Sequence, residues 1–132
     1  MFLETTFCID LMREAKSGGG PATSCLMRQG NYSLSIPVFV ACELQAGARL
    51  SASPEKQLRI VEKFVERLEI IYPDEKFPVA YGETEAHLRQ AGLPIPTMYL
   101  LIGTLAKIHG RILITRDREH YSRIPGLVLE TY

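Results

Sequence analysis

A short apolar run, Ile112-Leu113-Ile114, passes straight into Thr115-Arg116-Asp117 and then Tyr121-Ser122-Arg123-Ile124-Pro125-Gly126-Leu127. An unbroken apolar triplet ended by a polar turn fits a strand covered on both faces, as strands of a parallel sheet are. Open α/β sheets hold their ligands outside the carboxyl ends of such strands. The run therefore delivers the Asp117 carboxylate to the edge where these folds do their chemistry.

The rest of the chain supplies partners for that strand. Phe2-Leu3 is a first strand, Glu4-Thr5-Thr6 a polar turn, and Phe7, Cys8, Ile9, Leu11 and Met12 take up a helical rhythm. Ser17-Gly18-Gly19-Gly20-Pro21 breaks that helix, and residues 22–29 form a second, ended by Gly30-Asn31. Tyr32 to Ile36 alternates with period two as a strand does, and Pro37 opens the next helix, which carries Glu43. Ser53-Pro54-Glu55 combines a cap, a first-turn proline and an early acid, after which Leu58, Val61, Phe64, Val65 and Leu68 share one face. Ile70-Ile71-Tyr72 is a strand, residues 78–90 and 98–108 are helices, and Leu127-Val128-Leu129 is a final strand. The order β-α-α-β-α-α-β-α-α-β-α-β predicts a three-layer α/β sandwich with a mostly parallel sheet of four or five strands.

The length of 132 residues suits a single domain over 1–132 with one core. Fifteen basic and 15 acidic residues cancel, so no overall charge draws the chain to nucleic acid or a membrane surface. Nucleic-acid binding has to be local. The apolar runs are far shorter than the roughly 20 residues a bilayer demands, and no basic stretch leads into an apolar one at the start. The chain reads as a soluble, cytoplasmic protein. Cys8, Cys25 and Cys42 form no CxxC pair and leave one thiol over, which favours reduced, core-packed cysteines over a disulfide scaffold or a zinc site.

Several of these features occur together. Glu4-Thr5-Thr6 follows a first strand, Glu43 lies in the helix after the second, Pro94-Ile95-Pro96 leads into Leu100-Leu101-Ile102-Gly103, and Leu113 to Asp117 precedes Ser122 to Leu127. As a set they resemble a PIN domain, and most closely the VapC-type toxins of bacterial toxin–antitoxin pairs. The resemblance spans essentially the whole chain and is most specific in its C-terminal part. It implies a PIN-like α/β/α sandwich and an endoribonuclease in which acids from separate elements hold Mg²⁺ or Mn²⁺. Hard cations want oxygen ligands, and a bound one both acidifies the attacking water and screens charge on the phosphate.

On this resemblance Glu4, Glu43 and Asp117 are the catalytic and metal-ligating acids and Thr6 a polar neighbour. The sequence departs from the family pattern where it matters. Glu4 and Thr6 stand where Asp and Asn are usual, and the third acid position carries Tyr99. A phenol is neutral at pH 7 and offers no carboxylate bite, while Mg²⁺ tolerates little distortion of its short bonds. Weak cation binding and impaired RNA cleavage are the expectation. The resemblance also implies a cognate antitoxin as partner and a homodimer. An antitoxin groove is expected on the stripe Val61, Phe64, Val65 and Leu68 with the 41–46 helix. The competing reading is a catalytically inactive PIN-like module that binds an antitoxin or dimerises.

Each residue also has a plainer reading. Glu4 suits a helix N-terminus, Glu43 a solvent-facing position, Asp117 a turn cap, and Tyr99 a core aromatic among Met98, Leu101, Ile102 and Leu105. Their combination in one order favours the site. Asp10 is placed on the helix surface, and His87, His109 and His120 follow no ligand pattern. Lys107, Arg111, Arg116, Arg118 and Arg123 crowd around Asp117. Of these, Lys107, Arg116, Arg118 and Arg123 are expected to form a rim for RNA phosphates, giving affinity without reading sequence.

Overall fold

The computed structural model describes residues 1–132. Its elements are β1 (Phe2–Leu3), α1 (Thr5–Ser17), α2 (Pro21–Arg28), β2 (Ser35–Pro37), α3 (Val38–Arg49), α4 (Pro54–Val65), β3 (Glu69–Ile71), α5 (Phe77–Gln90), α6 (Thr97–Ile108), β4 (Leu113–Ile114), α7 (Arg118–Tyr121) and β5 (Leu129–Glu130). The predicted order of elements is the observed one. No helix is long and apolar enough to cross a membrane.

The strands lie in the order β3-β2-β1-β4-β5, and every pairing is parallel. The sheet is thus five-stranded and wholly parallel. From β1 the chain steps outward through β2 to β3, then returns across the sheet to β4 and β5. Because parallel crossovers are right-handed, this reversal puts α1 to α4 on one face and α5 to α7 on the other. It also creates a switch point between β1 and β4, and the crevice outside their carboxyl ends is where such sheets bind ligands. Glu4 directly follows β1, and Thr115 directly follows β4.

Phe2, Leu3, Ile36, Leu113 and Ile114 are all fully buried, so the central strands show no polar alternation. Burying each of these side chains stabilises the fold by about 1.5–3 kcal/mol relative to leaving it in water. On the α5 to α7 face, α6 presses close to the C-terminal segment. A Cβ on Gly103 would lie 2.3 Å from Ile124 Cδ1 and 3.4 Å from Tyr121 Cδ1.

The corner between α1 and α2 is built by a side chain from a distance. Gly18 takes the left-handed conformation (φ 90°) that ends α1. Gly20 has no side chain with which to cap α2, and Glu14 supplies the cap instead, accepting from Ala22 N–H at 3.0 Å and Thr23 N–H at 2.7 Å.

Four local expectations change. Pairing in β2 is confined to Ser35–Pro37, and Tyr32 and Ser33 are exposed, because two-residue β1 offers no partner further back. Pro37 closes that strand opposite Ile71 rather than opening α3, which starts at Val38. The last strand is Leu129–Glu130, two residues later than its apolar triplet. Cys8 and Cys25 are buried thiols, but Cys42 is exposed on α3.

Candidate active site at the sheet's switch point

The backbone of Glu4 is fixed by its N–H, which donates to the Ile114 carbonyl at 3.2 Å, so β1 and β4 hold this residue jointly. Its side chain turns back over the start of α1. Glu4 Oε2 accepts from Thr6 N–H at 3.0 Å, from the Thr6 hydroxyl, and from Thr115 Oγ1 at 3.3 Å. The plain helix-capping role and the site role thus fall on one carboxylate. Burial raises the Glu4 carboxyl above the usual range; the threonine bonds partly oppose this and the nearby charge of Glu43 adds to it.

Thr115 links Glu4 to Asp117. Its fully buried hydroxyl also accepts from Asp117 N–H at 3.0 Å. From the other flank, the Thr5 hydroxyl donates to Glu43 Oε2, tying α1 to α3. Thr6 bonds Glu4 through both its N–H and its hydroxyl. Thr5 and Thr115 perform comparable work and went unread, since a threonine beside a strand end carries no signature of its own.

Asp117 caps α7. Its Oδ1 accepts from His120 N–H at 3.2 Å, and His120 Nδ1 lies 3.0 Å from Oδ1 and 2.9 Å from Oδ2. A carboxylate can only accept, so Nδ1 carries the proton. Tyr99, brought in by the first turn of α6, stands beside the same carboxylate. Partial burial acts to raise the Asp117 pKa, but the neighbouring Tyr99 hydroxyl, the two His120 bonds and the His120 charge together hold it below the usual range. The Tyr99 phenol is pushed up to about 12, first by the adjacent Asp117 carboxylate, then by burial and by the charges of Asp117, Glu4 and Glu43. Tyr99 thus stands in the field of all three acids. Its ring lies 4.5 Å from the His120 ring and 5.1 Å from that of Tyr121.

His120, set aside in the sequence for want of a ligand pattern, is therefore a principal component of the site. The signal that could have found it is its place three residues after a capping acid. Asp10 also differs from expectation. It is only 13% exposed, and its Oδ2 accepts from the Tyr132 hydroxyl at 2.7 Å and pairs with Arg116 Nη1 at 3.1 Å.

The basic residues divide. Arg118 is exposed beside Asp117, and Arg116 is 55% exposed while paired with Asp10. Arg123 braces the loop before α6, donating to the Pro94 carbonyl at 3.0 Å, and pairs with Glu119 at 3.4 Å. Lys107 is the exception. It sits eight residues beyond Tyr99 on α6, roughly 12 Å along the axis, beside Gly126 at the far end of the helix.

No three His, Cys, Asp or Glu side chains form a group able to hold a metal ion. The third acid position holds a phenol, which is neutral at pH 7. The arrangement as it stands does not fit the divalent cation that the resemblance implies.

Beside the crevice, a groove of about 460 Å³ runs between α1, α3 and α4 with Glu43 in its wall. Its apolar lining includes Ile9, Met12, Leu44 and Val61, with Arg13 and Lys16 along one side. Of the expected stripe, Val61 lines this groove while also belonging to the buried core, and Phe64, Val65 and Leu68 pack against the core outside the groove's lining.

An α/β/α sandwich on a five-stranded parallel sheet of order β3-β2-β1-β4-β5 is the framework of a PIN domain. Residues 1–127 match the PIN domain model, and the chain belongs to that family. Within it the chain is a VapC-type toxin by its relatives. It is 35% identical over 102 residues to the ribonuclease VapC2 of Rickettsia felis (77% of this chain, 76% of that one). To the tRNA(fMet)-specific endonuclease VapC of Salmonella typhimurium it is 32% identical over 99 residues (75% of each). The fold is similar to the crystal structure of VapBC2 from Rickettsia felis bound to a promoter DNA fragment, with a TM-score of 0.88, 29% identity and coverage of 99% of this chain and 97% of that one. VapBC-1 of nontypeable Haemophilus influenzae gives 0.86 at 27% identity, covering 98% and 96%.

Proposed function

We propose that this chain is a VapC-type toxin endoribonuclease whose acid site is impaired by Tyr99. Glu4, Glu43 and Asp117 are the remaining members of a ligand set for Mg²⁺ or Mn²⁺, and Thr6 is its polar neighbour. The observation that carries this reading is Tyr99 at the third acid position, its ring 4.5 Å from that of the His120 whose Nδ1 lies 2.9 Å from Asp117. Arg116 and Arg118 border the crevice and are suited to RNA phosphates. Solved relatives that are VapBC complexes support an antitoxin partner. The groove between α1, α3 and α4 suits an apolar helix bearing acidic residues that pair with Arg13 and Lys16.

The second reading, a module that binds an antitoxin or dimerises without cutting RNA, is favoured by the internally paired state of Asp117. Incubation of the chain and its Tyr99→Asp variant with RNA and Mn²⁺ separates the two. Cleavage by the variant alone is the expected result. Equal cleavage by both would mean an intact enzyme, and cleavage by neither would leave the binding module.

A further inference from the structure

Each acid in the crevice already has internal donors. Glu4 is served by Thr6 and Thr115, Glu43 by Thr5, and Asp117 by His120. A carboxylate offers about four lone-pair sites. On Asp117 these receive the His120 backbone N–H and the His120 ring N–H shared between both oxygens, and the Tyr99 ring lies against that of His120.

The two neighbours of Asp117 have different origins. Tyr99 arrives from α6 and is a tertiary contact, its ring 4.5 Å from that of His120. His120 lies three residues ahead in the turn that Asp117 itself caps, so its restraint is local and persists when Tyr99 is replaced.

We infer that the Tyr99–Asp117–His120 set takes the place of a bound cation in this chain, with His120 acting as a second, independent barrier to the use of Asp117 as a ligand. This rests on the reading of the chain as an impaired VapC-type nuclease. It assigns His120 a positioning role and makes the pocket self-satisfied, so the protein is as stable in EDTA as in Mn²⁺.

The test is Mn²⁺ titration by calorimetry, with thermal unfolding in EDTA and in Mn²⁺. It is applied to the unaltered chain, to Tyr99→Asp, and to Tyr99→Asp combined with His120→Ala, His120→Leu or His120→Asn. The unaltered chain gives no binding heat and no shift in Tm. Tyr99→Asp binds weakly. Adding His120→Ala tightens Mn²⁺ binding about tenfold, on the scale of one hydrogen bond to a charged group that no longer competes for Asp117. His120→Leu does the same while filling the ring's volume, and so guards against a poorly folded alanine variant. His120→Asn, whose amide keeps a donor near Asp117, stays with Tyr99→Asp. Equal affinity in Tyr99→Asp and both donor-free double variants would overturn the role of His120 and leave the nuclease reading standing. Absence of binding in every variant would overturn both, and Mn²⁺ binding by the unaltered chain would overturn the self-satisfied pocket.

Discussion

At the scale of single residues, Tyr99 and Glu4 set the electrostatics of the crevice. Two carboxylates about 5 Å apart repel by roughly 3 kcal/mol at an effective dielectric of 20, before screening. Tyr99→Asp adds such a charge and removes the ring packed against His120 and Tyr121, so its Tm in EDTA falls by several degrees; calorimetric scanning measures this, and an unchanged Tm would show that the acids do not feel one another. Glu4 carries the pH dependence. Burial raises its carboxyl above the ordinary 4.5, so the folded protein binds this proton more tightly than the unfolded chain. Stability on this account falls as pH rises from 4.5 through the folded value. Asp117 acts oppositely, since its lowered carboxyl contributes stability above its ordinary 3.8 that is lost as pH falls through the folded value. Glu4→Gln keeps an acceptor for Thr6 and Thr115 but no charge. It flattens the decline above 4.5 and raises Tm at neutral pH, which unfolding curves across the pH range will show.

Among elements, the joints decide where side chains arrive. Gly20 has extended backbone (φ 173°) open to any residue, yet a Cβ there would meet Glu14 Cδ at 2.5 Å. Gly20→Ala therefore acts by pushing Glu14 off the start of α2, and Glu14→Ala removes the same cap. The double variant is destabilised no more than the worse single one in urea unfolding; additive losses would refute the shared cause. Gly103 matters more to the site, because α6 carries Tyr99 and packs there on the segment that follows Asp117. Gly103→Ala overfills this contact at a cost of about 1–3 kcal/mol. Part of the cost can be recovered by Ile124→Val, which shortens the side chain that the new methyl meets.

For the whole molecule, a net charge of zero leaves RNA affinity to the arginines beside the crevice. Contacts to single-stranded phosphates lower log K with log salt by about 0.7 per neutralised phosphate. Arg118→Ala is expected to reduce the slope of RNA binding against salt by about that amount. Lys107→Ala, at the far end of α6, leaves the slope unchanged. Binding that ignores salt would remove the arginine rim altogether.

The succession of elements was readable because short apolar runs, helical spacing and Gly/Pro breaks are local signals. Glu4, Glu43, Tyr99 and Asp117 were assigned through the resemblance to a PIN domain, which sets the order of these positions along the chain. The sequence by itself determined a β-α alternation that has to close as a parallel sheet, since apolar runs of that length need cover on both faces. It did not determine that β1 and β4 lie side by side, that Thr115 joins Glu4 to Asp117, that Asp10 holds Arg116 and Tyr132, or that His120 occupies Asp117. Those facts belong to the tertiary structure. They depend on which side chains meet after strands distant in the chain come together, and hydrogen bonds between such residues leave no periodicity along the sequence.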